Sequence, residues 1–142
     1  MTRSIRRTLI VSAAAVIALL CVRAPTHAQQ APAPKRTVLL QHDTSAPGFE
    51  AALVAVEIPP GAREGRHTHP GLAIVHVQEG TLTLDYEGKP SASYRAGESF
   101  FVEPGKVHEG INKGTTTVKA IASFVIEKGK PITTQVPAPT TK

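Results

Sequence analysis

From residue 36 to residue 131 the chain never sustains an apolar repeat of 3.6 residues over helical length. Its apolar residues alternate instead, in short runs separated by turn signals roughly six to twelve residues apart. The segment 81–86, TLTLDY, is the clearest case. Leu82, Leu84 and Tyr86 fall on one face, and Thr81, Thr83 and Asp85 on the other. In 115–126, Val118, Ala120, Ala122, Phe124 and Ile126 likewise share a face. Further strands are predicted at 37–42, 50–58, 72–78, 91–95 and 98–102, divided by TSAPG, PPG, PG, EGKP and EPG. Roughly eight or nine short strands with this punctuation predict an all-β sandwich or barrel, folds that stack or close to hide their edges. The strand near 36–42 is the best placed to pair with a second subunit, so a homodimer is expected.

The N-terminus follows a different logic. Arg3, Arg6 and Arg7 precede a run from Leu9 to Val22 that is apolar except for Ser12, and RAPTHAQQ follows. A basic stretch, an apolar stretch and small residues before Ala28 predict a cleaved signal peptide over 1–28. The run is short for a membrane span, so no stable membrane insertion is expected after cleavage. The mature protein is expected in the periplasm or outside the cell. The general secretory route fits, and so does a twin-arginine route through Arg6 and Arg7. Residues 29–35 read as a Pro/Ala linker, 36–131 as the domain and 132–142 as a flexible tail with little to bury.

Removing the signal changes what charge implies. Four of the 16 basic residues, Arg3, Arg6, Arg7 and Arg23, lie in it and no acid does. The remaining chain then carries 12 basic against 11 acidic residues, a net charge of +1. That is no footprint for nucleic acid. Cys21, the only cysteine, leaves too. Thiolate chemistry and disulfides are thereby excluded from the mature domain.

The residues that carry chemistry are histidines. His67 and His69 stand two apart in GAREGRHTHPG, so on a strand they share a face. His108, in KVHEGIN, is spaced to fold back over them. Neutral imidazole suits Fe, Zn, Cu and Ni. Three protein ligands with open positions characterise a catalytic metal more than a structural one. His76 has the parity of an outward residue, and His42 that of a surface residue. Glu64 has the wrong parity for the face of His67, and Glu103 and Glu109 gain no support from spacing. Leu82, Leu84, Tyr86, Phe100 or Phe101, Val118 and Phe124 are candidates for the walls of a binding cavity.

The chain resembles the small single-domain cupins, and within them the quercetin-dioxygenase-like proteins. Gly61, His67, His69 and Gly80 fall on the first cupin motif, G-x5-H-x-H-x(3,4)-E-x6-G. Gly97, Gly105, His108 and Asn112 fall on the second, G-x5-P-x-G-x2-H-x3-N, with Glu103 where its proline is expected. The resemblance implies a double-stranded β-helix, or jelly-roll barrel, over about 36–130, with a divalent transition metal on His67, His69 and His108. The motif glutamate, a metal ligand in most such proteins, is Ala73 here. What the resemblance then implies is dioxygenase-like chemistry on a small organic substrate. The alternative is a non-catalytic cupin that binds a small molecule and has lost its metal.

Overall fold

The computed structural model describes residues 32–138. The expected signal peptide, the first residues of the linker and the last four of the tail lie outside them. Ten strands run in order: β1 (Lys35–Asp43), β2 (Phe49–Ile58), β3 (His67–Thr68), β4 (Gly71–Glu79), β5 (Thr81–Tyr86), β6 (Ala92–Arg95), β7 (Ser99–Val102), β8 (His108–Ile111), β9 (Val118–Glu127) and β10 (Thr134–Gln135). Among the described residues there is no α-helix, as the absence of a 3.6-residue period predicts.

Two five-stranded sheets face each other. One has the order β1-β2-β9-β4-β7 and the other β10-β3-β8-β5-β6, and every ladder is antiparallel. This is the jelly-roll arrangement, a double-stranded β-helix. The alternation read in the sequence sets which residues meet between the sheets. Val118, Ala120, Ala122, Phe124 and Ile126 of β9 are all buried, as are Leu82, Leu84 and Tyr86 of β5. Burying a Val, Leu, Ile or Phe side chain contributes about 1.5–3 kcal/mol, so these two stripes supply much of the drive for the sheets to pack.

Asn112 locks the connection from β8 to β9. Its Nδ2 donates to the carbonyls of Ile58 (2.7 Å) and Thr116 (2.8 Å), and its Oδ1 accepts from the Gly114 amide (2.9 Å). The second motif's asparagine is thus a clasp between the end of β2 and the β8–β9 connection. A second tie joins the two motifs, because the Gly105 amide donates to the carbonyl of His69 (2.9 Å).

Part of the segment read as a tail belongs to the domain. Ile132 packs against the core, β10 pairs with β3, and the Val136 amide donates to the carbonyl of Arg66 at 2.8 Å. A paired stretch of two residues is too short to show an alternating pattern, so periodicity could not reveal it.

Candidate metal centre

The histidine segment is less regular than an H-x-H strand. β3 contains only His67 and Thr68, and His69 follows it. His67 lies directly opposite His108 across the β3–β8 ladder. The ring centroids of His67 and His108 are 4.3 Å apart, those of His69 and His108 4.9 Å, and those of His67 and His69 5.0 Å. All three residues are buried, and one ring nitrogen of each lies within 4.8 Å of the others.

The main chain orients each ring. Nδ1 of His67 faces the carbonyl of Gly65 (2.7 Å), Nδ1 of His69 that of Ile132 (2.6 Å), and Nδ1 of His108 that of Lys106 (3.0 Å). A carbonyl can only accept, so each Nδ1 carries the hydrogen. Each Nε2 is left with its lone pair. Metal-ligating histidines are held this way, with the far ring N–H given to an acceptor that fixes tautomer and orientation.

Protonation would spoil this arrangement, and the surroundings resist it. Burial pushes the pKa of His69 and of His108 down to about 4, and that of His67 down as well. The neighbouring imidazoles add to the effect on His69 and His108, since a charge on one opposes a charge on the next. The donor set is therefore three neutral, converging imidazoles, which fits a divalent transition metal.

These rings open onto a cavity of about 240 Å³ between the sheets. Its walls are mostly aliphatic, with Leu82, Leu84, Phe100 and Phe124 among the expected lining residues that take part. Tyr86 and Val118 do not line it: Val118 is sealed in the core, and Tyr86 stacks at 6.3 Å from His108. Phe101 points outward and is 58% exposed, which leaves Phe100 as the lining member of the pair. Alternation separates inside from outside but does not separate cavity wall from solid core.

Parity placed His76 correctly. It is exposed and lies 2.9 Å from the Ser99 hydroxyl. His42 is exposed too. Parity misplaced Glu64. Residues 62–66 are loop apart from one bridge at Arg63, and Gly65 has a φ of +78°, a left-handed conformation that side chains other than glycine rarely adopt. That kink breaks the strand count, and Glu64 lines the cavity with the histidines. Its Oε1 accepts from Arg36 Nη2 of β1 at 2.8 Å. Burial pushes the Glu64 carboxyl up, and the charge of Arg36 opposes this. Glu109 and Glu103 do not line the cavity. Glu109 forms a two-pronged pair with Arg63 and accepts from the Gly65 amide, so it braces the loop that carries Glu64. Glu103 turns to Lys89, 3.5 Å away.

Comparison with known proteins settles the family. The cupin-domain family model matches residues 54–126, which include all three histidines and half of the chain. The protein is a cupin. Among solved structures, this cupin is similar to a double-stranded β-helix protein of Klebsiella pneumoniae, with 23% identity over 68% of this chain and 78% of that one (TM-score 0.56). It is similar to a cupin domain of Bordetella pertussis, with 23% identity over 68% of this chain and 96% of that one (TM-score 0.55). A recombinant oxalate oxidase in complex with glycolate is 27% identical over 64% of this chain and 50% of that one (TM-score 0.54). No curated protein matches the sequence.

Proposed function

We propose that this cupin holds one divalent transition-metal ion on His67, His69 and His108 and acts as a dioxygenase-like enzyme on a small, largely apolar organic molecule bearing an oxygen donor. One observation carries the reading: three Nε2 lone pairs converge on a cavity whose walls are mostly apolar. When bound, an ion such as Fe or Cu supplies Lewis acidity toward a substrate oxygen and exchanges electrons with O₂. The chain does the rest. The three backbone carbonyls keep the imidazoles in the ligating tautomer. Three neutral ligands leave the ion's charge undiminished, which favours a substrate oxygen that can carry negative charge. Aliphatic walls exclude water and select for apolar bulk. A similar fold serves an oxalate oxidase, which supports oxidative chemistry.

Elemental mass spectrometry of the protein purified without a tag tests this. About one Fe, Zn, Cu or Ni per chain, lost in His108→Ala, is the expected result. No metal after adding each ion would overturn it and leave a non-catalytic binder of small apolar molecules.

Two further parts of the proposal concern the whole protein. The composition of 1–28 supports export, and the mature chain is expected to begin at Gln29 by N-terminal sequencing. A homodimer is supported by β1, an edge strand that pairs among the described residues only with β2 and is exposed along its whole length, including Val38, Leu39 and Leu40. Light scattering that returns a monomer would remove it.

A further inference from the structure

Glu64 occupies a place prepared for it. Gly110, two residues after His108 on β8, has no side chain, and the Glu64 carboxylate lies in the space a side chain would take. A Cβ on Gly110 would come 2.3 Å from Glu64 Oε2 and 3.1 Å from Cδ. Glu64 Oε1 is held by Arg36, and the loop behind it is braced by Glu109 through Arg63 and the Gly65 amide. Glu64 is the one carboxylate among the described residues that line the cavity. β4, the strand that bears Ala73, contributes Val75 to the wall and no acid.

We propose that Glu64, seated over Gly110 and aligned by Arg36, is the specificity-determining acceptor of this cavity, taking a hydrogen bond from the hydroxyl of a small, largely apolar ligand. A carboxylate accepts only, and each oxygen has two lone pairs, so Oε2 can receive a ligand hydroxyl while Arg36 keeps Oε1. A hydrogen bond to this acceptor, already engaged by the Arg36 guanidinium, gains from the aliphatic walls around it. A ligand of the same shape without the hydroxyl leaves that carboxylate facing apolar atoms, and such mismatches discriminate more strongly than added bulk does. The proposal deepens the reading above by naming the ligand's hydroxyl as the recognised group. The carboxylate and its seat exist without any metal.

The test compares phenol with anisole, its methyl ether, by calorimetric titration of the full mature protein, both metal-free and loaded with zinc. Metal-free wild type is expected to favour phenol by about tenfold. Glu64→Ala should bring that ratio close to one. Gly110→Ala should do the same with Glu64 still present, because the new methyl displaces the tip of a flexible side chain and no backbone. Circular dichroism and an unchanged melting temperature show that the variants are folded. Equal ratios in wild type and both variants would overturn the proposal, as would a wild type that does not prefer phenol. Zinc content is read separately. Failure to bind zinc would count against the metal centre alone, because the ratio in metal-free protein decides the role of Glu64.

Discussion

Ala73 stands opposite Phe124 across the β4–β9 ladder, and the Phe124 ring meets His69 edge-on at a centroid distance of 4.9 Å. Both residues are buried, and Ala73 is only 1% exposed. The position that falls on the glutamate of the first cupin motif is here part of an apolar contact that backs a histidine. Ala73→Glu is therefore expected to destabilise metal-free protein by about 2–4 kcal/mol at pH 8, the order of burying an unpaired polar group. Urea denaturation measures it. A loss below about 0.5 kcal/mol would mean that this wall is wet.

The segment after residue 131 should matter to metal binding. The carbonyl of Ile132 orients the ring of His69. A chain ending at Pro131 is expected to bind zinc about 10–100-fold more weakly, as when other outer partners of ligating histidines are removed. Ile132→Ala keeps the carbonyl and should change affinity less than threefold. Competition with a chromogenic chelator reads both. Equal losses would assign the effect to packing and not to the carbonyl.

Acid should destabilise the metal-free protein through its histidines. His69 and His108 titrate near 4 when folded and near 6.5 when unfolded. Between those values the unfolded chain binds more protons, so their contribution is full above about pH 6.5 and falls away as pH drops toward 4. For His69 alone the loss is on the order of 3 kcal/mol. Glu64 is shifted upward and works in the opposite sense. The check is thus a difference: the urea midpoint of wild type should fall more steeply from pH 7 to pH 4.5 than that of His69→Gln, in which Glu64 is unchanged. Parallel curves would contradict the burial of His69.

Removing the Asn112 clasp should cost stability and leave the metal ligands in place. Asn112→Ala strands the carbonyls of Ile58 and Thr116 and the amide of Gly114. The expected loss is about 1–3 kcal/mol by urea denaturation, with metal content unchanged. Loss of metal without loss of stability would make Asn112 part of the site.

Much of this was legible in the residues themselves. Strict alternation placed the faces of β5 and β9, because a half-buried strand must repeat every two residues. Parity sent His76 outward, and the two histidine motifs brought His67, His69 and His108 together. Glu64 was hidden because parity holds only while the backbone stays extended, and the left-handed Gly65, between Glu64 and His67, ends that. Ile132 was hidden for another reason. Its part in the site is played by a main-chain carbonyl, and a carbonyl has no letter in a sequence.

The same property has a consequence for altering the protein. Every acceptor that aims an imidazole belongs to the main chain, at residues 65, 106 and 132. The hydrogen bonds that aim the ligands therefore do not depend on the identity of any neighbouring side chain. Cavity walls could be recoloured one residue at a time, larger or smaller, to admit a different guest, while the three rings keep their bearing as long as the backbone holds its course.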